Sequence, residues 1–136
     1  MANFIYGKAK QALLNGEFNV LNNTFKLLLV NENYNPNQNV DEFVTNIPSD
    51  YIKARSGALT NITNVLGTLD ADDISINMYD GSAFESLILY KDTQNDSTSR
   101  LLAYIDTATG IPFSGINATA NITISWSNDS NKIISL

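Results

Sequence analysis

The densest group of carboxylates in the chain is Asp70-Ala71-Asp72-Asp73. Hard cations such as Ca²⁺ take several carboxylate and carbonyl oxygens, so a run of this kind invites reading as a metal site. The spacing matches no EF-hand, because no Gly stands at the sixth loop position and no Glu at the twelfth. The run reads instead as a solvated turn ahead of a strand at Ile74, with Asp side chains accepting backbone N–H groups. No metal ligand is assigned. Glycoside hydrolysis would have to draw on Asp41, Glu42, Asp80 or Glu85. Such enzymes hold two carboxylates at a fixed separation across the scissile bond, and nothing in the sequence pairs any two of these four.

The chain contains no His and no Cys. That removes Ser-His-Asp and Cys-His nucleophiles and the usual zinc sites, leaving carboxylates, Lys and Tyr as acid–base groups. No glycine-rich phosphate loop is present; Gly57 and Gly67 stand alone and read as turn or bulge positions. Tyr34, Tyr51, Tyr79 and Trp126 are the aromatics that a sugar-binding face would use. Trp126 lies in phase with Ile122 and Ile124 and is assigned to the core, whereas Tyr34 and Tyr51 fall in loops and are the better candidates for exposed contact. The expectation is a protein that is not an enzyme, with no catalytic residue, metal or cofactor.

The elements that would position these residues follow from pattern. Residues 3 to 14 read as a short helix capped by Asn3 and ended at Asn15-Gly16. Phe4, Ile5 and Tyr6 cannot share one helical face, so part of this trio is expected to reach outward, to a subunit or partner. Phe25 to Val30 is a nearly continuous apolar strand. An Asn-rich loop follows, and residues 38 to 44 suggest a helical turn with Val40, Phe43 and Val44 inward, broken at Ile47-Pro48. Residues 58 to 66 and 74 to 78 alternate as strands do, with a turn at 79 to 82. Two arms, residues 84 to 91 and 101 to 106, are apolar at nearly every position and flank a polar loop at 92 to 99, read as an outward, tolerant tip. A loop at 107 to 115, a strand at 117 to 127, a turn at 128 to 131 and a short closing strand at 133 to 136 complete the chain.

Six or seven strands and one helix predict a mainly β fold: an antiparallel β-sandwich, jelly-roll-like, with a short N-terminal helix. The 136 residues predict a single domain, with residues 1–15 as the helix that docks on the body or on a partner. Arms apolar on both sides belong at the centre, one face against a second sheet and the other under the helix or a sister subunit. Net charge is −6 with only eight Lys and Arg, which gives no basic footprint for nucleic acid. No apolar stretch is long enough for a membrane span, and the first residues do not read as a signal peptide. The Asn-x-Ser/Thr triplets at Asn61, Asn117 and Asn121 follow from the Asn-rich composition and are not read as glycosylation sites.

Taken in order, FIYGKAKQALLNGE, FKLLLVNENYNPNQNVDEF, SGALTN, LDADDI, LILYKDTQNDSTSRLLAYID and ITISWSNDSNKIISL resemble a family of small structural proteins of tailed bacteriophages, the head decoration or cement proteins. The resemblance spans nearly the whole chain and lies in order and spacing. It implies a non-enzymatic protein on the capsid exterior of the virion, made in the host cytoplasm, that binds the assembled head and stabilises the shell. Its implied partners are the major capsid protein and copies of itself, as a dimer or trimer. Exposure arguments make Phe4, Ile5, Tyr6 and Tyr34 the candidate contacts. The alternatives are another virion component of tail or fibre, a carbohydrate-binding β-sandwich module and a carboxylate-dependent hydrolase.

Overall fold

The computed structural model describes residues 3–78, 83–107, 120–126 and 133–135. The chain is mainly β, with antiparallel sheets and one short helix near its start. In chain order the elements are β1 (Phe4–Ile5), α1 (Gly7–Leu14), β2 (Phe25–Val30), β3 (Ile52–Arg55), β4 (Thr63–Val65), β5 (Thr68–Asp70), β6 (Ile74–Met78), β7 (Ser86–Lys91), β8 (Leu101–Ile105), β9 (Ala120–Ile124) and β10 (Ile134–Ser135). The largest sheet has the order β1-β8-β7-β2-β3; β10-β5-β4 and β6-β9 form two smaller ones.

The two apolar arms are β7 and β8, and they pair with each other. β7 also pairs along its whole length with β2, from Phe25 opposite Lys91 to Val30 opposite Ser86. Cross-strand partners share a face of the sheet, and successive residues alternate between faces. Leu27, Leu29, Leu87, Leu89, Ala103 and Ile5 therefore lie on one face, with Leu28, Ile88, Tyr104 and Phe4 on the other. All of them except Phe4, which is half-buried, are buried.

The chain supplies both covers itself. Helix α1 lies against β8 and buries Ala9 and Ala12. Leu13 of the helix, Leu69 of β5 and Ile134 of β10 gather around Ile5 and Leu102 at a small apolar pocket. The register slips between Leu89 and Tyr90, which face Ala103 and Leu101, so Leu102 is the extra residue that reaches this pocket. On the opposite face the Asn-rich segment brings Tyr34 against Tyr104; the edge strand β3 packs against β6.

The first residues depart from expectation. Phe4 and Ile5 are a strand on β8, opposite Tyr104 and Ala103, and the helix begins only at Gly7. Asn3 caps no helix; its Oδ1 accepts the Asp106 backbone N–H at 2.8 Å. The physical reason is the apolar trio. In a strand its members turn to alternate faces and all gain burial, whereas a helix would leave one in water. Gly7 lies close against the Asn-rich segment: its N–H donates to the Gln38 carbonyl at 2.7 Å, and a Cβ there would have to displace the Asn39 side-chain Oδ1, 2.9 Å away.

Other differences concern short elements. β3 follows a single 3-10 turn at Ser49–Tyr51 and was hidden by Pro48 and the charges around it. It is an edge strand, where Lys53 and Arg55 are at home. Ser56 extends its pairing, donating its N–H to Leu27 O and accepting the Leu27 N–H on its hydroxyl. The helical turn expected over residues 38 to 44 is displaced: residues 38–40 form a turn, Phe43 bridges to Arg100, and a single 3-10 turn runs Val44–Asn46, with Val44 buried and Val40 facing solvent. Within 58 to 66 only Thr63–Val65 is strand; Leu59 is buried, but Val65 and Leu66 are exposed. The expected turns at 79–82 and 128–131, and most of the loop at 107–115, lie outside the described residues.

Leu89→Ala removes a fully buried side chain from the central strand and is expected to cost about 2–5 kcal/mol in urea unfolding. Val40→Ala is expected to stay within about 0.5 kcal/mol of the parent. A large loss from the second variant would place Val40 inside, as its sequence pattern suggests.

Candidate functional site

Three of the four candidate contact residues, Phe4, Tyr6 and Tyr34, meet in one place, whereas Ile5 lies on the other face of the sheet, opposite Ala103. Phe4 stacks on Tyr104 with ring centroids 5.2 Å apart and meets the edge of Tyr6 at the same distance. Tyr34 lies 6.3 Å from Tyr104. Pairing with β8 positions Phe4, and the Tyr6 N–H continues that ladder by donating to Leu102 O. Tyr34 is held by its loop: its N–H donates to Asn31 O, and the Asn31 side chain accepts from Asn33 N–H.

A chain of hydroxyls runs through the cluster. Tyr34 Oη donates to Asp41 Oδ2 at 2.7 Å, so the 2.9 Å contact between the tyrosines has Tyr6 donating to Tyr34. Asp41 Oδ2 also accepts the Asn37 N–H. Tyr6 is 0% and Tyr34 7% exposed, so neither is the free surface residue that its sequence position suggests. Burial pushes both phenols well above the ordinary value of 10.0; the Asp41 carboxylate acts in the same direction on each. Burial also raises Tyr104, opposed by a hydrogen bond from Ser86 and reinforced by the Asp106 and Glu85 carboxylates.

These two carboxylates open onto a cleft of about 490 Å³ beside the cluster, lined by Glu32, Tyr34, Asn35, Pro36, Glu85, Tyr104 and Asp106. No basic residue lines it. Its lining joins three carboxylates to Tyr104, stacked on Phe4, and Tyr34, held by hydrogen bonds, an arrangement suited to a cationic group. Among the described residues no group of three or more metal-ligating side chains is placed to hold a metal ion.

The remaining carboxylates tie segments together. Asp72 accepts from Thr60 and Asn61 side chains, and Asp73 accepts the Trp126 N–H. The buried Trp126 indole N–H donates to Asp72 O, so the acidic run is a bracket for β9. Glu42 and Glu17 both accept from Arg100 at 3.0 Å, with its guanidinium over the Phe43 ring. The loop at 92–99 is no idle tip. Asp92 pairs with Lys26 at 2.9 Å, and Asp96 takes both ends of the Arg55 fork at 2.8 and 2.7 Å. Those partners hold both carboxyls below the ordinary 3.8. Tyr51 is half-buried; Tyr79 and Asp80 lie outside the described residues.

Sequence reasoning missed Glu32, Tyr104 and Asp106. Tyr104 sat in plain view inside an apolar arm, but only the pairing of β1 with β8 sets it opposite Phe4.

Tyr34→Phe leaves the buried Tyr6 hydroxyl without an acceptor and is expected to cost about 1–3 kcal/mol in chemical denaturation; Tyr6→Phe, which leaves the Asp41 bond intact, should cost less. Equal costs would break the assigned direction of the chain. Phenols raised in the folded state stabilise it fully below the unfolded value near 10 and lose that contribution as pH climbs above it. Stability measured against pH should therefore fall above about pH 10, and less so in the double Phe variant. No protein-family model matches the sequence, and no curated protein matches it.

Proposed function

We propose that the chain is a non-enzymatic structural protein of a tailed bacteriophage, a head decoration (cement) protein. It sits on the capsid exterior, binds the major capsid protein and copies of itself, and stabilises the assembled shell. Its sheets belong, on this reading, to a jelly-roll-like β-sandwich. The order and spacing of its segments support the family. The observation that carries a binding role is the acidic cleft beside the aromatic cluster.

A protein of this kind works by burying surface across seams between subunits, with many modest attachments acting together. It needs a rigid, complementary surface and no reacting group. The cleft offers negative charge in Glu32, Glu85 and Asp106, backed by tyrosines that cannot turn away. Basic side chains on the shell would be drawn to it and held in register. Phe4, Tyr6 and Tyr34 then form the frame behind the contact, with Ile5 anchoring the same strand from the other face, and the acidic rim makes it.

Imaging of intact particles is expected to show this chain on the outer face of the shell; particles without it there would overturn the reading. Attachment of the purified protein to shells should weaken as salt rises, and Glu32→Lys with Glu85→Lys should lower occupancy. Both positions are exposed, so the isolated double variant should melt like the parent. Full occupancy by the double variant would remove the cleft from the contact.

A further inference from the structure

Asn15-Gly16 is the one Asn-Gly pair in a chain rich in Asn. Such a pair carries a chemistry of its own. The Gly16 backbone nitrogen, once base has taken its proton, can attack the side-chain carbonyl carbon of Asn15. A C–N bond forms, ammonia leaves from Cγ, and a succinimide ring closes. Water then adds its hydroxyl to one ring carbonyl and its proton to the nitrogen. Opening at Cγ yields aspartate. Opening at the main-chain carbonyl yields isoaspartate, in which the chain runs through the former side chain. Glycine obstructs the closure least, because it has no Cβ.

The fold exposes this bond and holds it in check. Asn15, Gly16 and Glu17 are exposed, and nothing lies within 4 Å of where a Gly16 Cβ would stand, so no neighbouring segment blocks the attack. The restraint is the end of α1 itself. Asn15 has φ −85° and ψ 1°. At that ψ the Gly16 nitrogen eclipses the Asn15 nitrogen and stands away from the Asn15 side chain, so the ring cannot close. Gly16, at φ 77°, completes a Schellman cap: its N–H donates to Leu13 O at 3.2 Å, and the Glu17 N–H donates to Ala12 O at 2.9 Å. Both flanks of the bond are anchored. α1 buries Ala9 and Ala12 on one side. On the other, Lys91 Nζ donates to Glu17 O at 2.8 Å, and the Glu17 carboxylate pairs with Arg100 at 3.0 Å. Turning Asn15 toward attack breaks the cap and pulls on these anchors.

We infer that Asn15 is a site of spontaneous modification, passing through the succinimide to aspartate and isoaspartate, and that opening of the α1 C-cap sets its rate. Water is the only other reactant. The product acts back on the fold. Isoaspartate lengthens the main chain by one carbon inside the cap, so the Gly16 and Glu17 N–H groups no longer meet their acceptors. Either product also puts a carboxylate at the negative end of the helix dipole, beside Glu17. The helix that lies against β8 is thereby loosened at its end. None of this depends on a role on the shell.

The folded protein is held in mildly alkaline buffer for increasing times, digested, and mapped by mass spectrometry with fragmentation that separates aspartate from isoaspartate. Both are expected at position 15, accumulating faster as pH rises. The same chain unfolded in urea should convert Asn15 at least about fivefold faster, because the cap no longer opposes closure. Aged protein should melt below fresh protein, whereas Asn15→Gln, aged alongside, should keep its melting temperature. Unmodified Asn15 in the folded protein overturns the inference. Equal rates in folded and unfolded chains overturn the control by the cap. An unchanged melting temperature after conversion overturns the effect on α1.

Discussion

Strand β7 has neither a free edge nor a free face. β2 and β8 take its hydrogen bonds on either side, and every residue from Ser86 to Tyr90 is buried. A strand in that position needs a cover above and below, and a short chain must find both within itself or borrow one. In this chain the first segment and the Asn-rich segment do much of that work, joined to each other by the Tyr6–Tyr34–Asp41 hydroxyl chain. The buried serines fit the same constraint. Ser56 uses its hydroxyl on the Leu27 N–H within β2 and Ser99 on backbone groups of the 92–99 loop, and no buried side-chain polar atom among the described residues lacks a partner.

The long apolar runs were legible in the sequence because their composition admits only one environment. β2, β7 and β8, the alternating β6 and the in-phase Ile122, Ile124 and Trp126 fall where pattern places them. The short elements were not legible, for a common reason. β1 and β3 are strands by virtue of an edge offered by β8 and β2, and nothing local in Phe4–Ile5 or Ile52–Arg55 demands extension. The site suffered the same way. Phe4, Tyr6 and Tyr34 do converge, but as packed groups, while Ile5 turns to the other face; the acidic residues beside the cluster come from three separate stretches that only the sheet assembles.

Carboxylates are the main chemical resource of a chain without His or Cys, and the fold spends most of its described ones on architecture. Asp72, Asp73, Asp92 and Asp96 fasten loops to strands, and Glu17 and Glu42 share Arg100. The acidic cleft differs in that Glu32 and Glu85 reach solvent beside a rigid aromatic wall. Under the proposed role, that contrast separates the contact surface from acidity that holds the protein together.

The pairing of Phe4 with Tyr104 has a consequence for how the chain is made. β1 is synthesised before β8, and all the residues between them must be made before the two strands can pair. Phe4, Ile5 and Tyr6 must wait through that interval with no sheet edge to join. Closure of the largest sheet is therefore a late, long-range event, of the kind that slows folding. During translation the unpaired β1 segment is a sticky stretch, and its rescue is timed by the arrival of β8.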